Sequence, residues 1–371
     1  MDSSGGQQEN SSGAAAESSG KPTVCFLGPV SSYTHQATVE TFPADKFNFV
    51  PVQTIKDVFT TTHSSADYGV VPFENSSNGS VVFTLDQLAD RDGEHPDLSV
   101  CAEIYLDVHH CLLGYPAPSP SPSQSQPQFL ELSPALPADK PSPSLGHIKR
   151  VYSHPQAFGQ CARFLGRHLR GVETVDVSST SRAAELARAD RTGESAAVSS
   201  AASAARLGLH VLARDVEDRA DNTTRFFVLR RGTAAGEGDG DVEALLDRRR
   251  KKDAEPDDGG ASASAGEGGA EGGAEAKAPV YARTKSLASF TVPHGSPGAL
   301  ADVLECFRRA GLNLTSIGSR PSLARPFRYV FFVEFEGHRF DDPEGRVRDA
   351  LEDVARVAQS ARWLGSWESM R

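Results

Sequence analysis

Three polar segments combine residue types that can do chemistry. The densest is Asp218-Arg219-Ala220-Asp221-Asn222-Thr223-Thr224-Arg225-Phe226, a polar loop opening into an apolar run. Arginine offers a planar fork that suits a carboxylate and threonine a short positioned donor, so this is an anion site at a strand mouth or, with the same residues, a capping turn. The second is Val71-Pro72-Phe73-Glu74-Asn75-Ser76-Ser77-Asn78-Gly79-Ser80-Val81, where an apolar strand ends in a carboxylate, an amide and hydroxyls; a turn with a helix cap would read alike. The third is Ser153-His154-Pro155-Gln156-Ala157, a strand running into a proline-led helix whose free N–H groups suit an anion. His154 is there an acid–base group or a support for the turn. His109 and His110 are adjacent in an extended run and point to opposite faces, so no metal site is expected.

The chain has 371 residues, 49 Asp and Glu against 38 Lys and Arg, and a formal net charge of -11. At roughly 150 residues per domain, that length calls for more than one core. The 38% hydrophobic residues together with 33 glycines put the composition in the globular range. The acidic balance argues against nucleic acid, because phosphate contact needs a basic face. Cys25, Cys101, Cys111, Cys161 and Cys306 are odd in number and scattered, as reduced thiols of a cytoplasmic protein would be. No apolar run approaches the ~18 residues of a membrane-spanning helix, so no membrane partner is expected. Neither G-x-G-x-x-G nor G-x-x-x-x-G-K-[ST] occurs in the folded blocks, and no cofactor is expected.

Three stretches cannot build a core: a disordered tail over 1–20, a Pro/Ser/Gln insertion over 116–144, and a disordered linker over 232–283 around Arg248-Arg249-Arg250-Lys251-Lys252. Residues 21–115 alternate strands (24–27, 47–52, 68–71) with helices, one ending at Phe42 and one capped by Thr54 with Ile55, Val58 and Phe59 on one face. Residues 146–231 repeat that rhythm, with strands at 148–152, 172–177, 196–198 and 226–229 and helices over 155–169, 181–189 and on to Leu207. Alternating strands and helices predict parallel sheets covered on both faces, in two lobes joined by crossing strands within 99–115. Lobe one takes about 21–113 plus 213–231 and lobe two about 114–212. Ligands of such α/β sheets bind where loops leave the carboxyl ends of strands, which places a cleft between the lobes. Residues 284–371 read β-α-β-β-α-β, a ferredoxin-like order, with Ser296 as N-cap, Pro297 at N1 and Leu300, Val303, Leu304 and Phe307 as the buried stripe of the first helix.

Taken in chain order, these motifs resemble those of the prephenate dehydratase family. Gly28-Pro29-Val30-Ser31-Ser32-Tyr33-Thr34-His35-Gln36-Ala37 is similar to its opening loop, residues 71–81 to its V-P-x-E-N-S segment, Ser153-His154-Pro155-Gln156-Ala157 with Gln160-Cys161 to its S-H-P-Q-A signature, and Asn222-Thr223-Thr224-Arg225-Phe226 to its N-x-T-R-F motif. The resemblance covers residues 21–231 apart from the insertion. It implies a two-lobed, periplasmic-binding-protein-like catalytic domain and a carbon–oxygen lyase that converts prephenate to phenylpyruvate, water and CO2 in phenylalanine biosynthesis. In that reading Thr224 assists the leaving hydroxyl. Arg225 anchors a substrate carboxylate, or holds the loop through Asp218 or Asp221. Asn75 and Ser76 complete the catalytic set with Glu74, which has a structural or indirect role. Thr34, Ser153, His154, Gln156, Ser199, Asn222 and Phe226 bind substrate. Ser31 stands where the family usually carries glycine, which a different backbone turn would accommodate.

Gly298-Ala299-Leu300 with Leu304, and Leu314-Thr315-Ser316-Ile317-Gly318-Ser319-Arg320-Pro321, resemble the regulatory ACT domain attached to these enzymes. That resemblance implies a phenylalanine site made by Gly298, Ala299, Leu300, Ile317, Gly318, Ser319 and Arg320 in a homodimer or homotetramer. Gly318 replaces the family's glutamate. No chorismate mutase helices precede residue 21, so a monofunctional enzyme is expected. The competing readings are a non-catalytic sensor, which would not need Thr224 beside Arg225, and a transporter's solute-binding protein, which needs an export signal.

Overall fold

The computed structural model describes residues 20–117, 145–232 and 280–371; the expected tail, insertion and linker lie almost wholly outside them. The first lobe opens with β1 (Thr23–Leu27), α1 (Tyr33–Thr41), β2 (Asn48–Val52), α2 (Ile55–Ser64) and β3 (Tyr68–Asn75). Thr54 and Asp57 close a capping box at the start of α2, which buries Val58 and Phe59. There follow β4 (Gly79–Ser80), α3 (Val82–Ala89) and the long β5 (Leu98–Asp107).

After β5 the chain crosses to a second sheet built from β6 (Cys111–Gly114), β7 (Arg150–Ser153), α4 (Pro155–Gln160), α5 (Ala162–His168), β8 (Glu173–Asp176), α6 (Thr180–Ala189), β9 (Ser195–Ser199), α7 (Ala201–Leu207) and β10 (His210–Ala213). β11 (Thr223–Arg231) returns to the first sheet between β5 and β3. β6 already belongs to the second sheet, so the crossing lies at 108–110, a few residues earlier than the sequence implied.

Two expectations about the sheets need correction. β1 is parallel to β2 and β3, and β7 to β8 and β9, but β11 runs antiparallel to both β3 and β5, and β6 and β10 are antiparallel too, so each sheet is mixed. The helix expected over 155–169 is two short helices meeting at Cys161, and the edge strand β10 had no expected counterpart.

The C-terminal block is β12 (Thr284–Thr291), α8 (Ala299–Arg309), β13 (Leu314–Pro321), β14 (Tyr329–Glu336), α9 (Arg346–Val357) and β15 (Ser360–Glu368), in the expected β-α-β-β-α-β order. Gly298, in the left-handed region at φ 86°, occupies the N-cap of α8 that had been expected at Ser296. Val303 and Phe307 are buried as the stripe predicted, with Leu300 and Leu304 packed beside them.

This block does not stand apart from lobe one. The sheet runs β13-β14-β12-β15-β5-β11-β3-β1-β2 without interruption, and the joint is one parallel pair, Gly365 with Val100. Alternation along β11 feeds two cores. Phe226 and Val228 face α1 with Phe26 and Ile104, whereas Phe227 and Leu229 face the other way, into a cluster shared with Phe332, Leu364 and Trp367 of the C-terminal block. Any Cβ on Gly365 would run into the Val100 backbone. Gly365→Ala should therefore lower the unfolding free energy by about 1–3 kcal/mol, the usual cost of overpacking, as read from urea denaturation midpoints.

Candidate functional site

The end of β3 and the start of β11 lie side by side, with Asn75 opposite Thr224. Asn75 is the hub of what they form. Its Oδ1 accepts the backbone N–H groups of Ser77 and Asn78, both at 3.0 Å, which turns its amide nitrogen the other way. Nδ2 then donates to Thr224 Oγ1 (3.0 Å), Asn222 Oδ1 (2.9 Å) and the Thr223 carbonyl (3.2 Å). Because the Thr224 oxygen accepts from Asn75, its own hydrogen is left to donate elsewhere. Ser76 pins the loop before β11: its hydroxyl donates to the Asp221 carbonyl (3.1 Å) and accepts from Thr223 N–H (3.0 Å).

Lobe two reaches this hub through Gln160, at the end of α4. Gln160 Nε2 donates to Asn75 Oδ1 at 3.3 Å, and its Oε1 lies 2.7 Å from His110 Nε2. His110, on the crossing between lobes, is buried, and its Nδ1 lies 2.8 Å from the Tyr33 hydroxyl at the start of α1. Burial lowers the His110 pKa, against opposing contributions from Gln160 and Glu217, and keeps the ring neutral near pH 7. Burial likewise raises the Tyr33 pKa well above its ordinary value, so the phenol keeps its proton. His109 turns outward to Glu217 (3.0 Å), which also accepts the His110 backbone N–H.

The lobes touch elsewhere along the same edge. Arg206 of α7 donates to the Val30 carbonyl (2.7 Å), and Ser203 Oγ lies 3.4 Å from the Ser31 carbonyl. Ser31 has φ 75°, in the left-handed region that glycine adopts most easily. Among the other expected contacts, Thr34 is almost buried in the first turn of α1. Ser153 Oγ donates into the sheet, to the Val198 carbonyl. His154 caps α4 by accepting from Gln156 N–H, the turn-supporting alternative, and burial lowers its pKa. Gln156 is exposed. Ser199 Oγ and Asn222 Nδ2 are buried with no protein partner among the described residues. Glu74 pairs in register with Arg225 and is half-buried.

Two expected site residues lie elsewhere. Phe226 is 1% exposed and belongs to the core beneath α1: it shares the face of β11 that carries Thr224 but lies two residues further along the strand, packed with Phe26 and Ile104. Arg225 neither faces the cleft nor holds Asp218 or Asp221. It is 6% exposed and lies 2.5 Å from Glu103 of β5 and 2.6 Å from Glu334 of β14. Lys285 of β12 adds a second cation, 3.5 and 3.6 Å from the same carboxylates, and the Phe73, Phe227, Tyr105 and Trp367 rings surround the guanidinium. Burial would lower the Arg225 pKa, but Glu103 and Glu334 outweigh it and the net shift is upward. Arg225 therefore locks the C-terminal block onto the strand that carries Thr224.

The expected effector residues divide between two faces of β13. Gly318 pairs with Phe332 and lies toward Leu85 of α3, and Arg320 forms a bidentate pair with Asp86 of α3 at 2.8 and 2.9 Å. Desolvation opposes that pair, yet Arg320 and Arg91 together hold the Asp86 pKa below its ordinary value. Ile317 pairs with Val333, on the face that carries α8 and α9. Gly298, Ala299 and Leu300 open α8. Gln160, His110, Tyr33, Glu103 and Glu334 had no assigned role from sequence, although a glutamate inside each of two apolar strands was a visible signal of a buried ion pair.

A sequence model of the family described as "Prephenate dehydratase" matches residues 24–234. A "Bifunctional chorismate mutase/prephenate dehydratase" of Aquifex aeolicus is 32% identical over 94% of this chain and 74% of that protein. The "Prephenate dehydratase" of Methanocaldococcus jannaschii is 26% identical over 93% of this chain and 97% of its own. Among solved structures, prephenate dehydratase from Arthrobacter aurescens in complex with L-Phe superposes with a TM-score of 0.68 at 26% identity, covering 94% of this chain and 90% of that one.

Replacing Arg225 by Met leaves Glu103 and Glu334 with Lys285 as the one remaining cation of this cluster among the described residues. Breaking a buried pair from one side should cost about 3–5 kcal/mol, measured by denaturant unfolding of the full chain.

Proposed function

The chain belongs to the prephenate dehydratase family, and from that premise we propose that it converts prephenate to phenylpyruvate, water and CO2 in the cleft between its two lobes. The reaction needs no oxidant. As the ring carboxylate leaves as CO2, its bonding pair enters the ring, the C–O bond breaks and hydroxide departs, which a proton turns into water. The enzyme must hold a dianion, orient the ring and ease the departure of the hydroxyl.

The observation that carries this reading is the polarity of Thr224. Its oxygen accepts from Asn75, so its O–H is available to the leaving oxygen. A threonine hydroxyl is a weak acid, and its part is a directed hydrogen bond in a preorganised site more than complete proton transfer. Thr34, Ser76, Ser199 and Asn222, with the N-terminal turns of α4, α6 and α7 at the carboxyl ends of β7, β8 and β9, supply donors for the two carboxylates. Arg225 has no place in that set.

The C-terminal block is read as an ACT domain with phenylalanine as its effector, which the Arthrobacter complex supports. Gly298, Ala299, Leu300, Ile317 and Ser319 would form the site, completed at an interface in a homodimer or homotetramer, with Gly318 and Arg320 passing its occupancy to α3. We read the enzyme as cytoplasmic from the odd number and scattered positions of its cysteines; none of the described helices is long and apolar enough to cross a membrane.

Assay of the full chain with prephenate should give phenylpyruvate. Thr224→Ala should lower kcat about 100-fold or more while the folded state is retained, in line with the loss of a positioned acid or donor. A fully active Thr224→Ala variant would refute the site, and a folded parent without turnover would favour a sensor.

A further inference from the structure

The hydrogen bonds around Thr224 have a direction that runs across the molecule. Asn75 Oδ1 is committed to two backbone N–H groups, so the end of Gln160 lying 3.3 Å from it and 3.5 Å from Asn222 Oδ1 must be the amide nitrogen. The other end, Oε1, can only accept, which requires a hydrogen on His110 Nε2, 2.7 Å away. A neutral imidazole carries one N–H, so His110 Nδ1 is a bare acceptor and takes the Tyr33 O–H at 2.8 Å. The Tyr33 oxygen also lies 3.0 Å from the His109 carbonyl, where its single hydrogen would turn only if His110 became charged. The ring is 2% exposed, and the desolvation that lowers its pKa disfavours that state.

Each group thus donates to the next, from Tyr33 through His110, Gln160 and Asn75 to Thr224. We propose that His110, held by Tyr33 as its Nε2–H tautomer, is a positioning residue that orients and polarises the Thr224 hydroxyl through Gln160 and Asn75. The inference rests on the reading of the cleft as the dehydration site. Successive donors in a shielded environment strengthen one another, so removing an early link weakens the last donor although it lies three residues away in the chain of contacts. The same groups come from lobe one, the interlobe crossing and lobe two, so the chain is complete only when the lobes are set against each other as they are here.

The test is steady-state kinetics of the full chain with prephenate, comparing His110→Leu, His110→Gln, Tyr33→Phe, Thr224→Ala and the double variant His110→Leu/Thr224→Ala. His110→Leu should lower kcat about tenfold with KM within about twofold, as expected when a link acts on the transition state more than on substrate binding. His110→Gln, whose amide N–H can replace the Nε2–H, should recover most of that loss. In the Thr224→Ala background His110→Leu should change kcat by less than about twofold, because both changes act through one hydroxyl and independent effects would instead multiply.

A kcat for His110→Leu equal to the parent's, effects that multiply, or no recovery in His110→Gln would each overturn the proposal. If His110→Leu fails to fold, Tyr33→Phe carries the test: a kcat loss of about threefold or more at unchanged KM supports the relay, and an unchanged kcat overturns it. A parent with no turnover, or a fully active Thr224→Ala variant, would remove the site reading and the relay with it. Turnover that depends on Thr224 but not on His110 or Tyr33 would remove the relay alone.

Discussion

Everything proposed for the cleft depends on which way the Asn75 amide faces. Two backbone N–H groups, from Ser77 and Asn78, hold its oxygen, and that leaves the nitrogen to Thr224, Asn222 and the Thr223 carbonyl. Were the amide reversed, its oxygen would draw the Thr224 hydrogen inward and the hydroxyl would present only lone pairs to a departing hydroxide. Local turn geometry at the end of β3 therefore sets the chemical polarity of a side chain on β11. A side-chain amide is neutral, so the hub adds no charge of its own beside a dianionic substrate.

β11 has a second task. Its neighbouring residues Thr224 and Arg225 serve opposite sides of the sheet, the first in the polar hub and the second in the buried cluster with Glu103, Glu334 and Lys285. Two carboxylates balance two cations there, which is the condition under which burying them is tolerable. Since Glu334 and Lys285 belong to the C-terminal block, a change in the set of β12 and β14 bears on the residue next to Thr224. The Arg320–Asp86 pair makes a parallel connection to α3. If phenylalanine acts through either connection, linkage requires a cleft ligand to alter phenylalanine affinity by the same factor.

Much of this organisation was legible in the sequence. Apolar runs separated by helical periodicity gave the order of elements, and the segments around Asn75, Ser153 and Thr224 marked the strand ends that converge. What was hidden depended on pairing partners. Arg225 looked like a ligand for an anion because its neighbours are polar, yet alternation places it beside Phe227, and its anions are two glutamates more than a hundred residues away on other strands. Phe226 was misread for a different reason: it shares the face of Thr224 but lies further along β11, where α1 covers it. The antiparallel insertion of β11 between β3 and β5, and the Gly365–Val100 joint between the two blocks, follow from long-range pairing that local pattern does not encode. His110 showed only that it faces away from His109; its link to Gln160 needs both lobes in place.

The measurement that reaches the central claim most directly is a neutron crystal structure of the deuterium-exchanged protein. The account places deuterium on Asn75 Nδ2 toward Thr224 Oγ1, on Thr224 Oγ1 toward the cleft, and on His110 Nε2 toward Gln160. A Thr224 deuterium directed at Asn75, with the Asn75 oxygen facing it, would contradict the account.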